Sequence, residues 1–119
     1  MRIKFFKYAK KIAANSTSRV RLGCVIVNRN KIIGHGKNNM EKTHPASPNF
    51  YKYLHAEIAA IIKSNRDMLR GAILYVYRES KLGVPVISRP CTSCYEAIKL
   101  AQIKKICYTD NGQFVEEFI

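Results

Sequence analysis

The chain has 119 residues, 47% of them hydrophobic, which suits one compact domain over 1–119 with one core. No apolar run of about 18 residues exists, which argues against a transmembrane helix. The basic start, Met1 to Lys7, lacks the apolar stretch and cleavage site of a secretory leader. Against 21 Lys and Arg stand only 8 Asp and Glu, a formal net charge of +13 that favours an anionic partner.

In chain order, Ile3, Phe6, Ala9, Ile12 and Ala13 recur at helical spacing with lysines on the other face, so residues 2–14 are predicted helical. Asn15-Ser16-Thr17-Ser18 should stop that helix. Val20 to Val27 reads as a strand, turned by Asn28-Arg29-Asn30 into a second strand from Lys31 to Gly36, a hairpin. Residues 38–53, rich in proline, asparagine and aromatics, read as a loop. Leu54 to Ser64 is predicted helical, with Ile58, Ile61 and Ile62 on one face. A third strand, Ala72 to Tyr77, opens after Gly71, and residues 78–90 link it to a helix over Cys91 to Gln102. A strand from Lys104 to Thr109 follows. Asn111-Gly112, whose two residues tolerate positive φ, predicts a hairpin into a last strand, Gln113 to Phe118, antiparallel to it. With the sequence ending at Ile119, no further helix is expected to cap the sheet.

The charge is unevenly spread. Residues 1–40 carry ten Lys and Arg and no acid, and the first carboxylate is Glu41. Such a segment suits single-stranded DNA or RNA, with strongly salt-dependent association. The plainer alternative is a lysine-rich solvated surface. Phe50, Tyr51 and Tyr53 offer stacking faces for bases, or they serve ordinary packing.

The chemistry concentrates in two motifs, His55-Ala56-Glu57 and Pro90-Cys91-Thr92-Ser93-Cys94. Together they provide three zinc ligands, His55, Cys91 and Cys94, and one carboxylate the ligand set does not need. Structural zinc is closed by four protein ligands, whereas hydrolytic zinc keeps three and leaves the fourth position to water. Zinc lowers the pKa of that water to about 7, and Glu57 is placed to shuttle protons to a departing amine. A Cys91–Cys94 disulfide would leave the His-x-Glu motif without a purpose. Cys24 and Cys107 sit in apolar runs and read as small buried hydrophobes rather than as a fourth ligand. Cysteines committed to metal fit a reducing, intracellular compartment. Both motifs fall at predicted helix starts, where the dipole and free N–H groups favour thiolate at Cys91 and Cys94.

The pattern H-x-E…P-C-x-x-C is the signature of nucleobase zinc deaminases, and over most of its length the chain resembles the cytidine deaminase-like superfamily. The resemblance implies a three-layer α/β/α sandwich around a five-stranded mixed sheet. It also implies one zinc per chain on His55, Cys91 and Cys94, with Glu57 as the catalytic proton shuttle. Asn38, or its neighbour Asn39, would contact the sugar, and the backbone of Ala56 the base's polar edge. Two departures stand out: the long stretch between Tyr77 and Pro90, and the Asn-Gly hairpin. The hairpin resembles the cytidine deaminase branch, whereas the branch holding deoxycytidylate, transfer-RNA adenosine and APOBEC-type enzymes places a helix there. The expected activity is therefore hydrolysis of cytosine to uracil in single-stranded nucleic acid. The alternatives are deamination of free cytidine or (d)CMP in salvage, an adenosine-type deaminase, or a non-catalytic zinc-stabilised nucleic-acid-binding module. A homo-oligomer is compatible with any of these; a membrane partner is not expected.

Overall fold

Near-continuous apolar runs along the inner strands, Cys24 to Val27 and Ile73 to Tyr77, dictate a sheet buried on both faces. The computed structural model describes residues 2–16, 20–38, 55–80 and 82–119. Nine elements follow in order: α1 (Ile3–Ala14), β1 (Arg21–Asn28), β2 (Lys31–Lys37), α2 (Ala56–Lys63), α3 (Arg66–Leu69), β3 (Ile73–Glu79), α4 (Thr92–Leu100), β4 (Lys105–Asp110) and β5 (Gln113–Phe118). The strands form one mixed sheet in the order β2-β1-β3-β4-β5. Among the described strands only the β3–β4 pair is parallel; β5 returns antiparallel to β4, as its Asn-Gly turn predicts. Asn111 and Gly112 both adopt positive φ, 50° and 75°.

On one face Val25, Val27, Tyr75, Tyr77 and Cys107 pack under α1. On the other, Cys24, Ile26, Leu74, Val76 and Ile106 pack with Ala56 and Ala60 of α2 and Ile98 of α4. This is the expected three-layer sandwich. The two cysteines outside the motif are fully buried, one in each core, as their apolar surroundings imply. Among the described residues no helix is long and apolar enough to cross a membrane.

Three details differ from the periodicity. In α1 the buried face is Phe5, Phe6, Ala9 and Ala13, while Ile3 is exposed. The helix is rotated so that both phenylalanine rings meet Tyr75, with centroids 5.3 and 5.2 Å away. In α2 the buried run is Ala56 to Ala60, and Ile62 is exposed. Ile58 is buried and Ile61 packs against the core as the periodicity predicts, but Ala56, Ala59 and Ala60 face β2, because α2 lies almost on the backbone of that strand. A Cβ at Gly36 would stand 2.6 Å from both the Ala56 oxygen and the Ala60 nitrogen. Short α3 has no periodic signal in the sequence; Asn65 caps it by accepting from the Asp67 N–H.

Gly36→Ala should therefore destabilise the protein by about 1–3 kcal/mol, the usual cost of overpacking. The clash falls on helix backbone, so α2 must shift and carry His55 with it. Urea unfolding and zinc affinity measured on one variant check both consequences.

Candidate active site

Strands β3 and β4 are adjacent parallel strands joined through α4, which shares one face of the sheet with α2. Here the β3–β4 ladder runs from Ile73↔Lys105 to Tyr75↔Cys107. Beyond it the linking stretch intervenes. The chain folds back after β3, with Ser80 N–H donating to Val84 O and Val86 N–H to Arg78 O. Ser88 then sits between the strands. Its hydroxyl donates to Val76 O and accepts from Thr109 N–H, and its own N–H donates to Thr109 O. This insertion accounts for the unusual length before Pro90, and it leads into Cys91 at the start of α4.

His55 and Cys91 are the N-cap residues of α2 and α4, and neither uses its side chain to cap its own helix. Their extended backbones instead turn imidazole and thiol toward each other. His55 Nδ1 lies 3.3 Å from Cys94 Sγ and 4.0 Å from Cys91 Sγ. One donor atom from each of the three residues falls within 4.8 Å of the others, a group that could hold a metal ion. Tetrahedral zinc with its usual bond lengths separates sulfur and nitrogen ligands by about 3.6 Å, and the two observed distances bracket that value. The donor set fits zinc. Among the described residues no fourth His, Cys, Asp or Glu joins this group.

Electrostatics modifies one expectation. Burial pushes the Cys94 thiol well above its ordinary range, with the charges of Glu57 and Cys91 adding to the effect. Without metal, desolvation outweighs the helix dipole, so zinc must displace a proton from Cys94 on binding. Burial lowers the pKa of His55, which keeps its imidazole neutral and ready to ligate.

Glu57 lies in the first turn of α2, 3% exposed, and its Oε1 has no hydrogen-bond partner among the described residues. Burial raises its carboxyl to about 7, against the opposing pull of its own backbone N–H and the charge of Arg78. Ala56 is the first residue of α2 and fully buried; its N–H belongs to the first turn, which has no intrahelical acceptors. Asn38 is buried just past β2. Its Oδ1 accepts from Ser16 Oγ and Leu22 N–H, and its Nδ2 donates to Val20 O. The amide thus ties the end of α1 to β1 and β2, and its second Nδ2 hydrogen has no acceptor among the described residues. Asn39, Phe50, Tyr51 and Tyr53 lie outside the described residues. Arg78 lies one residue beyond the predicted third strand, whereas β3 runs on to Glu79; the alternation Leu74, Val76, Arg78 is the sequence signal for it.

The buried carboxyl of Glu57 has a measurable cost in the metal-free protein. Its folded pKa exceeds its ordinary value of 4.5, so the stability it allows is full below about pH 4.5 and is lost as pH rises through about 7. Glu57→Gln should match the parent at pH 4 and exceed it at pH 8 by up to about 3 kcal/mol. Chelator-treated protein unfolded in urea at both pH values provides the measurement.

Comparison with known proteins agrees with this geometry. Residues 1–110 match the family described as the cytidine and deoxycytidylate deaminase zinc-binding region. The chain is 32% identical over 111 residues to a tRNA-specific adenosine deaminase of Streptococcus pyogenes serotype M18, covering 92% of this chain and 62% of that protein. The chain thus spans only about three fifths of the length of the curated relatives it matches first. Among solved structures it resembles cytidine deaminase from Burkholderia pseudomallei, with a TM-score of 0.71 at 20% identity over 99% of this chain and 92% of that one. It also resembles dCMP deaminase from the cyanophage S-TIM5, with a TM-score of 0.64 at 24% identity over 87% and 78%. At such identities the likeness is one of fold.

Proposed function

The chain belongs to the cytidine and deoxycytidylate deaminase zinc-binding family, and on that premise we propose that it is a hydrolytic deaminase of cytosine in single-stranded nucleic acid. The observation that carries the reaction class is the meeting of three metal donors with one buried carboxyl they do not need. His55, Cys91 and Cys94 would hold one zinc ion. Bound zinc supplies a Lewis acid that makes water acidic enough to attack at neutral pH.

The chain's own residues account for the rest. Glu57 accepts the proton lost by water as its oxygen adds to C4 of the base, and passes it to N3. Glu57 then moves the second proton to the amino group; the C4–N bond breaks, ammonia leaves and a carbonyl remains. A carboxyl near 7 in the metal-free site suits a group that must both take and give protons near neutrality. The Ala56 N–H would meet the polar edge of the base, and the second Nδ2 hydrogen of Asn38 the sugar.

Cytosine is supported by the antiparallel β4–β5 hairpin. A second reading, adenine in RNA, is supported by the 32% identity to a tRNA-specific adenosine deaminase. Incubating zinc-loaded protein with cytidine, dCMP and oligonucleotides bearing a single C or A, then quantifying uracil and hypoxanthine, separates these. Uracil from cytosine in oligonucleotides is the expected product; turnover of free cytidine or dCMP alone would move the assignment to nucleotide salvage.

A polymeric substrate is supported by the acid-free N-terminal third. Lys7, Lys10 and Lys11 are exposed on α1, on the sheet face opposite α2 and α4. Oligonucleotide affinity should fall with salt at a log–log slope of roughly −0.7 per neutralised phosphate. Reversing the three lysines to Glu should weaken binding of all sequences alike and leave any turnover of free cytidine unchanged. Binding indifferent to salt and to the triple reversal would make α1 a merely solvated face.

A further inference from the structure

Strand β3 carries its inward alternation one step past the core. Leu74 and Val76 lie in the core beneath α2 and α4, and Arg78 follows on the same side of the strand, near its carboxyl end. It is near enough to Glu57 for its charge to act on that carboxyl. Its Nε is buried without a hydrogen-bond partner among the described residues, while the residue as a whole is only partly buried.

The contrast with Arg89 is instructive. The Arg89 guanidinium is satisfied by Glu117, at 3.0 Å from Nε and 2.9 Å from Nη2. No described acid bonds Arg78 in that way. A desolvated guanidinium donor without an acceptor costs free energy that an apolar residue at the end of this strand would avoid. The Ser88 insertion also keeps β4 from closing over this end of β3, since Ser88 rather than a β4 residue bonds Val76 O.

We propose that Arg78 is a substrate-binding residue that receives a phosphate oxygen of the nucleotide whose base enters the His55–Cys91–Cys94 cluster. The inference rests on the deaminase reading and extends it to the anionic part of the substrate. A guanidinium presents a rigid fork that matches phosphate, and its position between core and solvent suits a group that stays partly hydrated. The excess of cations over the whole chain is of the sign such a substrate requires. A phosphomonoester and a phosphodiester share this chemistry, so the experiment must separate free nucleotide from polynucleotide.

The test is calorimetric binding by zinc-loaded protein of a nucleoside, its 5′-monophosphate and a short single-stranded oligonucleotide, in both a cytosine and an adenine series. Arg78→Met should weaken the phosphate-bearing ligands about 10–100-fold, the loss expected for a charge-assisted hydrogen bond, and change nucleoside affinity less than about threefold. Arg78→Lys, which keeps the charge without the fork, should fall between. A loss confined to the monophosphate identifies a free nucleotide, and a loss shared by the oligonucleotide identifies the polymer backbone. An equal loss for nucleoside and nucleotide would reduce Arg78 to a counter-ion of Glu57, and an absent phosphate advantage in both series would remove its role; either result overturns the proposal. If phosphate binding is intact and specific but no ligand is turned over, the deaminase reading fails while the contact stands.

Discussion

Turnover by the Glu57→Ala protein should fall by at least about 10²–10⁴-fold, the range expected when a positioned general acid–base is removed. Zinc content should stay at the parent level, because Glu57 is outside the His55–Cys91–Cys94 donor group. Folding should also survive: the residue removed is a buried carboxyl with an unsatisfied oxygen, costly to the metal-free fold rather than a support for it. Metal analysis, thermal unfolding and single-turnover assays on one preparation separate these effects. Parent-level turnover in this variant would falsify the assigned proton path.

Cys94→Ala should behave in the opposite way, losing metal first and activity as a consequence. Cys94 is fully buried and its sulfur is the nearer of the two to His55 Nδ1, at 3.3 Å. Removing it leaves two donors, too few to hold zinc against chelation. At zinc a thousandfold above its dissociation constant the parent gains about 4 kcal/mol from binding, which for a domain of this size is on the order of 15 °C in Tm. The variant should forfeit that gain and show the same Tm with zinc or with chelator. A zinc-dependent Tm in Cys94→Ala would mean that the metal sits elsewhere. Cys107→Ala is the matching control, since that thiol lies in the core beneath α1 on the other side of the sheet.

The two families of relatives pull on the base assignment differently, and the molecule suggests why. The His55–Cys91–Cys94 donor group and the proposed proton shuttle Glu57 both lie at two helix N-termini. The proposed chemistry at those parts, attack on an amino-substituted ring carbon and proton transfer, is common to cytosine and adenine. Base choice rests on the surrounding residues, and product analysis addresses it directly.

Much of this was legible in the sequence because the signals are local. The Asn111-Gly112 turn needs only two residues with positive φ, so the β4–β5 hairpin could be read from the dipeptide. The His-x-Glu and Cys-x-x-Cys spacings are set by a single helical turn each, so ligand identity needed no tertiary information. What the sequence could not supply was the outcome of competitions between distant groups. Helix-start placement favours thiolate at Cys94, yet packing against α2 and the sheet buries the sulfur and raises its pKa. Ile58 and Ile61 of α2 mark part of its buried face, but the absence of side chains at Gly34 and Gly36 lets β2 approach so closely that Ala56, Ala59 and Ala60 share that face while Ile62 is left exposed. The stretch after Tyr77 carries no periodic signal; only the sheet reveals that Ser88 bonds both β3 and β4 and that Arg78 stands beside the site. Spacing along one turn determines which donors can meet, whereas desolvation and close backbone approach depend on every neighbour at once, and only the folded chain decides them.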